Sequence, residues 1–276
     1  MCLELKSGSK RWGFNILDKH GASLPEWGMA GSPLVFEDLV IISVGGRNGH
    51  SLVAYNKMTG DYVWSGGSDR IHWSSPVICE LAGKKQVLIF NRSAMFGHDI
   101  SDGSVLWEYE WDTDGMPHVA IPVPVSEDRI VLSSGYGKGA ELLQISNSGE
   151  GKQSAERIWR TLHLKAKFNN YVFKDGYIYG LDDGMLTCID VKTGRRSWKK
   201  GRYGHGQNIL VDDLMLLTTE RGEVLLIEPV PEEPHVLGSF KAFDGKSWNP
   251  PALVGEYLLL RNHLEAALYR LPLLKE

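Results

Sequence analysis

The chain has 276 residues, of which 42% are hydrophobic and 23% are charged, so it is long and apolar enough to bury a substantial core. Its formal net charge of −4 means that the surface as a whole does not attract anionic partners. We therefore expect neither nucleic acid nor an anionic membrane as a partner. The three cysteines, Cys2, Cys79 and Cys188, are far apart, which disfavours a disulfide framework and a thiol metal site.

The predicted strands recur in modules of four. An N-terminal piece, CLELKSG followed by SKRWGFNI, supplies the third and fourth strands of a partial module. Next come apolar stretches folded about a turn, each interpreted as two strands: 32–46, 75–91, 122–135, 170–182, 208–220 and 251–262. Third strands that run into a glycine turn follow at 52–60, 95–103, 141–149 and 186–194. Period-two alternation that ends at glycine is typical of a strand entering a tight hairpin.

Tryptophan marks the fourth strand of most modules. Four copies place it four residues after the turn glycine: Gly8 and Trp12, Gly60 and Trp64, Gly103 and Trp107, Gly194 and Trp198. A fifth copy is stretched, from Gly149 to Trp159, and a sixth is degraded, with Phe240 after Gly238.

A four-strand module repeated every forty to fifty residues or so predicts an all-β propeller with four-stranded antiparallel blades. A β-sandwich would have strands but no reason for near-copies of one module. We expect six blades, with the N-terminal strand completing the C-terminal sheet so that no edge stays unpaired; seven blades, or an incomplete larger propeller, are the alternatives. The predicted single domain covers 1–276, with repeat units at 1–27 (partial), 28–72, 73–117, 118–166, 167–203, 204–247 and 248–276 (partial).

Two turns carry the pattern A-x-[DN]-x-x-[TD]-G-x-x-x-W, from Ala54 to Trp64 and from Ile189 to Trp198. A Ser-Pro pair opens the first strand of two modules, at Ser32-Pro33 and Ser75-Pro76. In these residues the chain resembles the PQQ-binding-like, quinoprotein-type propeller family, which includes quinoprotein alcohol dehydrogenases and an outer-membrane-assembly lipoprotein. The resemblance covers essentially the whole chain and, like WD40-like repeats, specifies a fold better than a function.

The resemblance implies that the repeated tryptophans dock between neighbouring blades, where an indole buries about 150–250 Å². The predicted docking residues are Trp12, Trp64, Trp107, Trp159 and Trp198. An enzyme of this family would hold PQQ and calcium beneath an adjacent cysteine pair, with a Glu, an Asn and a catalytic Asp. No two cysteines are adjacent here and none of those roles can be assigned. We therefore expect no catalytic residue and no cofactor, with PQQ and calcium as the alternative.

Residues just before the first strand of each blade converge around the axis of a propeller. They make up the candidate ligand-binding ring: Trp27, His72, Trp73, His118, Lys167, Asn169, His205 and Trp248. This aromatic and polar mixture suits a sugar, a peptide segment or a flat aromatic ligand. The alternative is that these side chains only plug the channel. Its three histidines could also meet at a metal ion, but no spacing enforces that arrangement, so we predict no metal site.

Several other polar stretches are interpreted as connections. Asp112-Thr113-Asp114-Gly115 contains only a fragment of a calcium loop. Asp182-Asp183-Gly184 and Asp212-Asp213 are predicted to be ordinary acidic turns. His163, His235 and His263 are predicted to be surface residues.

Together these patterns favour a non-catalytic, monomeric scaffold that binds a protein or polymer through its channel mouth and blade loops. A quinoprotein-type oxidoreductase, and a sensory or small-ligand-binding propeller detached from a larger chain, are the alternatives. No apolar run approaches the roughly 20 residues of a membrane span, and the polar N-terminus lacks the apolar centre of a signal peptide. We therefore expect a cytoplasmic location for the sequence as written, or a periplasmic or extracellular one if an upstream leader is missing.

Overall fold

A computed structural model describes residues 1–111 and 115–272. The calcium-loop fragment at Asp112, Thr113 and Asp114 lies outside the described residues. The secondary structure begins with two short strands, β1 (Cys2–Leu3) and β2 (Lys10–Trp12), which pair antiparallel. One five-residue helix follows, α1 (Ile16–His20), capped by the Asn15 side chain. No helix in the described ranges is long and apolar enough to cross a membrane.

The rest of the described chain forms six consecutive antiparallel sheets. The first contains β3 (Leu34–Phe36), β4 (Leu39–Ser43), β5 (Leu52–Asn56) and β6 (Tyr62–Gly66). The second contains β7 (Val77–Leu81), β8 (Lys84–Phe90), β9 (Ala94–Asp99) and β10 (Val105–Glu110). The third contains β11 (Val123–Pro124), β12 (Arg129–Ser134), β13 (Gly139–Gly149) and β14 (Lys152–Thr161).

The fourth sheet contains β15 (Tyr171–Lys174), β16 (Tyr177–Asp182), β17 (Met185–Asp190) and β18 (Arg196–Lys200). The fifth contains β19 (Gln207–Val211), β20 (Leu214–Thr218), β21 (Glu223–Glu228) and β22 (His235–Lys241). The sixth contains β23 (Ala252–Val254), β24 (Tyr257–Arg261) and β25 (Ala266–Arg270). The predicted fold class is confirmed: the protein is an all-β, six-bladed propeller whose blades are antiparallel meanders.

One detail of the prediction is wrong. The N-terminal strand is predicted to complete the C-terminal sheet, but in the described residues it pairs elsewhere. Cys2 pairs with Trp12, and Leu3 pairs with Lys10, so β1 has its partner in β2. Within the described residues, the sixth blade therefore has three strands. The two N-terminal strands thus form a two-stranded sheet of their own in the described residues.

The chain divides into two compact units. The first unit is Met1–Leu132 with Leu143–Ile158, and the second is Ser133–Leu142 with the described residues from Trp159 onward. A core cluster of the first unit contains Trp107 and Phe90, and one of the second unit contains Tyr179 and Trp198.

A cross-blade contact between tryptophan and glycine recurs in both units. The Trp64 indole is 5% exposed and donates from Nε1 to the Ile100 carbonyl at 3.0 Å, in the turn of the following blade. That turn holds Gly103 at φ 76°, where an added Cβ would lie 2.4 Å from the indole. Glycine is therefore required twice, by the positive φ and by the ring packed against it. The other three copies donate to the next module in the same way: Trp12 to Lys57 O, Trp159 to Val191 O and Trp198 to Val230 O.

Trp107 departs from this pattern. Its Nε1 donates to Gln86 Oε1 at 2.6 Å within its own blade, and Gln86 in turn donates to Gln153 Oε1 at 3.0 Å. The following blade carries the long hairpin of β13 and β14, whose Gly149 has no atom within 4 Å of an added Cβ. The turn glycine of the stretched motif therefore does not contact the Trp107 indole, which packs instead on Gly97 of its own blade and donates to a buried glutamine.

Candidate functional site

The connections that lead into the first strand of each blade carry the predicted ring residues. In the first unit, Trp27 precedes β3, His72 and Trp73 precede β7, and His118 precedes β11. In the second unit, Lys167 and Asn169 precede β15, His205 precedes β19 and Trp248 precedes β23. Within each unit these residues come together in one cluster, except for Asn169.

The cluster of the first unit, here the Trp73 cluster, consists of Trp27, His72, Trp73 and His118. The Trp27 and Trp73 rings lie 4.9 Å apart, and the His72 ring stacks on Trp73 at 5.0 Å. The Trp73 Nε1 donates to the Gly28 carbonyl at 3.0 Å, which fixes the half-buried indole. Trp27 is 61% exposed. The cluster therefore presents a flat aromatic surface to solvent on a hydrogen-bonded base.

The two histidines of the Trp73 cluster face the interior. His118 is fully buried, with its ring 3.9 Å from Phe90 and its Nδ1 2.6 Å from the Asn91 carbonyl oxygen. Its backbone N–H donates to His72 Nδ1 at 3.1 Å. Burial, reinforced by the positive charge of Arg92 and opposed by Asp69, lowers the pKa of His72 to about 4. His72 is therefore neutral at pH 7, with Nδ1 as a hydrogen-bond acceptor.

The low pKa of His72 can be tested by NMR. We expect its imidazole to titrate near pH 4 in the folded protein, well below the ordinary value of about 6.5. Between those pH values the unfolded chain binds more protons, so His72 makes the fold less stable as the pH falls from about 6.5 towards 4. The resonance is assigned by its loss in His72→Asn, whose amide oxygen can still accept the His118 N–H. A midpoint at pH 6 or above would contradict the burial argument.

The cluster of the second unit, here the Trp248 cluster, consists of Lys167, Phe168, His205 and Trp248. The Phe168 ring lies 4.8 Å from Trp248 and 5.4 Å from His205. The Lys167 ammonium lies 5.4 Å from the centre of the Phe168 ring, which is within cation–π range. Trp248 is 38% exposed. This second aromatic surface carries a cation over one of its rings.

Glu220 anchors the Trp248 cluster, although sequence reasoning did not select it. Its Oε1 accepts from Trp248 Nε1 at 2.9 Å, and its Oε2 accepts from the His205 N–H at 3.0 Å. Burial raises the pKa of Glu220, but these two hydrogen bonds outweigh it and hold the pKa below its ordinary value. Burial lowers the pKa of His205. Glu220 follows β20 in a tight turn, and nothing in its local pattern distinguishes it from an ordinary turn carboxylate.

Asn169 has a different position from the other predicted ring residues. Its side chain is buried, its Oδ1 accepts from the Lys167 N–H at 3.2 Å, and its Nδ2 donates to the Leu181 carbonyl at 3.2 Å. Both ends of the amide are thus engaged by backbone. Asn169 holds the loop that carries Lys167 and Phe168.

The prediction that Asp182 belongs to an ordinary acidic turn is wrong. Asp182 is 1% exposed, and its carboxylate lies 2.7 Å from Lys165 Nζ and 2.5 Å from Lys199 Nζ. Its Oδ1 also accepts from the Lys165 N–H at 3.1 Å. Asp183, in contrast, is half exposed and forms an ion pair with Lys165. The two adjacent carboxylates have different surroundings because β16 ends with its last side chain turned inward.

Cys79 and Cys188 are protonated thiols at neutral pH. Burial raises the pKa of Cys79 to about 12 and that of Cys188 to about 11, so neither thiol is a nucleophile at neutral pH. No three His, Cys, Asp or Glu side chains within 1–111 and 115–272 are placed to hold a metal ion. The absence of a cofactor stays a prediction.

Fold and clusters together define a propeller of PQQ-like repeats with aromatic surfaces on its connecting loops. A family model described as outer membrane protein assembly factor BamB matches residues 1–200, and the chain belongs to that family. No curated protein sequence matches the chain significantly.

Solved structures share the fold. BamB from Moraxella catarrhalis superposes with a TM-score of 0.59 at 18% identity, over 84% of this chain and 70% of that one. The propeller domain of Cps50 (Swd1) from Myceliophteria thermophila superposes with a TM-score of 0.60 at 12% identity, over 88% of this chain and 84% of that one. The computationally designed Ika8 protein superposes with a TM-score of 0.53 at 12% identity, over 84% of this chain and 80% of that one. At these identities the likeness concerns the fold alone.

Proposed function

We propose that this protein is a non-catalytic propeller scaffold that binds a protein partner through the Trp73 and Trp248 clusters. The observation that carries the proposal is the exposure of Trp27 and Trp248 in two aromatic clusters, in which hydrogen bonds hold the Trp73 and Trp248 indoles. Tryptophans held in this way supply large contact area at low entropic cost and dominate many protein interfaces. The family description, an assembly factor for outer-membrane proteins, agrees with a protein partner and with a periplasmic location.

Peptide binding tests this role. We expect fluorescein-labelled, extended peptides from β-rich proteins to bind the wild-type chain in fluorescence anisotropy. The double variant Trp73→Ala with Trp248→Ala should weaken that binding by about tenfold or more, since each truncation removes an aromatic anchor worth roughly 1–2 kcal/mol. Tyr257→Ala is the matched control, because Tyr257 is an exposed aromatic outside both clusters.

Two outcomes would count against the scaffold. If the double variant binds every peptide as well as the wild type does, the clusters are not the binding surface. If PQQ with calcium at high micromolar concentration quenches the tryptophan fluorescence of the wild type but not of the double variant, the clusters hold a quinone and the small-ligand alternative replaces the scaffold. We expect no quenching.

A further inference from the structure

A cavity of about 560 Å³ lies beside the Trp73 cluster in the first unit. Three arginines from three separate connections line it. Arg47 lies between β4 and β5, Arg70 between β6 and β7, and Arg92 between β8 and β9. The loop at 21–26 and the Trp73 side of the cluster complete the wall. We call this cavity the arginine pocket.

The three guanidinium groups have no partner in the part of the chain that the structure describes. None of them makes a hydrogen bond or an ion pair there, whereas Arg11 and Arg270 of the same chain each pair with a glutamate. The nearby carboxylate of Asp69 is engaged elsewhere, since its two oxygens accept from the backbone N–H groups of Arg70 and Ser93 at 2.8 Å.

The charge of the pocket is opposite in sign to that of the chain. Among the residues that the structure describes, its lining contains three arginines and one acidic side chain, Glu26, and the neutral His72 adds no charge. The chain as a whole carries −4. Positive charge is thus concentrated in a cavity, where low-dielectric walls focus the field and strengthen attraction for anions.

We propose that the arginine pocket receives a carboxylate-rich segment of the protein partner, with an aromatic or aliphatic residue of that segment lying on Trp27 and Trp73. This inference rests on the proposed function and specifies the chemistry of the partner. Guanidinium groups bind carboxylates through two parallel hydrogen bonds, which a lysine cannot do. The volume lies within the range of sites that enclose a few side chains. The aromatic surface next to the arginines favours a peptide over a free anion, because an isolated phosphate would leave both indoles unused.

A labelled peptide rich in glutamate with one central phenylalanine tests the pocket. In fluorescence anisotropy we expect wild-type binding that weakens with added salt. Arg70→Gln and Arg92→Gln should each weaken it by about tenfold, as is usual when a guanidinium–carboxylate pair is lost from an interface. Arg195→Gln, an exposed turn arginine of the second unit, removes the same charge elsewhere and should leave affinity within about twofold. The substituted residues Arg70, Arg92 and Arg195 are all exposed, so the three variants should retain the wild-type unfolding transition.

Several results would overturn the inference. Equal affinity in wild type, Arg70→Gln and Arg92→Gln would show that the pocket does not take the peptide. Displacement of the peptide by inorganic phosphate or citrate at matched concentration would assign the pocket to small anions. If a peptide with glutamine in place of every glutamate binds as well and remains sensitive to Trp73→Ala, the arginine pocket is refuted while the scaffold stands. If Trp73→Ala with Trp248→Ala affects neither peptide, both proposals fall.

Discussion

Replacing Trp64 by alanine should lower the free energy of unfolding by about 3–5 kcal/mol, the usual cost of emptying a buried aromatic site. The indole is almost fully buried, packs against Gly103 of the next blade and donates to the Ile100 carbonyl. Its removal leaves a cavity and an unpaired carbonyl at the junction of two blades. Guanidinium chloride denaturation followed by far-ultraviolet circular dichroism measures the change.

Matched variants identify the source of this loss. Trp27→Ala removes the same side chain from an exposed position and should change stability by less than about 1 kcal/mol. Gly103→Ala should destabilise the wild type, because the new Cβ meets the indole and the backbone has a positive φ. In the Trp64→Ala background the clash with the indole is gone, and the backbone strain of about 1–2 kcal/mol and a 3.1 Å approach to the Ser65 backbone remain. Additive effects of Gly103→Ala and Trp64→Ala would show that the two residues do not pack as described.

The blades could be predicted from sequence because their determinants are local. The stretch 52–60 alternates apolar side chains and ends at Gly60, and the structure places β5 at Leu52–Asn56 followed by that turn. In four copies of the repeat the tryptophan follows the turn glycine at the same spacing. That regularity makes the fifth copy recognisable, although Gly149 and Trp159 are further apart. The sixth blade and its three strands follow from the same alternation.

The sites could be predicted only in part, because burial and charge pairing depend on contacts between distant segments. The position before each first strand correctly located the connecting loops, yet it could not distinguish exposed Trp27 from fully buried His118. Arg47, Arg92 and Glu220 lie on turns between the second and third strands of their blades, whereas Arg70 lies on the connection between two blades. The side chains at these turn positions differ in charge, so the position alone does not predict what they contact. The inward orientation of Asp182 similarly depends on lysines that approach from separate strands and loops.

Asp182→Ala should lower the free energy of unfolding by about 2–3 kcal/mol. The carboxylate is buried and holds two ammonium groups and a backbone N–H, and removing one member of a buried ionic group typically costs 3–5 kcal/mol or so. The expected loss is smaller because the Lys165 and Lys199 side chains are 18% and 22% exposed and can turn to water. Burial lowers the pKa of Lys165, but its bonds to Asp182 and Asp183 raise it by more. That stabilisation is therefore present below the ordinary lysine pKa and is lost as the pH rises through the higher folded value.

Chemical denaturation of three variants separates the contributions of Asp182. Asp182→Asn keeps an acceptor for the Lys165 N–H and should cost less than Asp182→Ala. Asp183→Ala, which removes a half-exposed carboxylate next to it, should cost less than about 1 kcal/mol. Lys199→Met should be less damaging in the Asp182→Ala background than in the wild type, because the ammonium there has already lost its partner. Equal costs for Asp182→Ala and Asp183→Ala would mean that the buried carboxylate is no more important to the fold than an acidic turn residue.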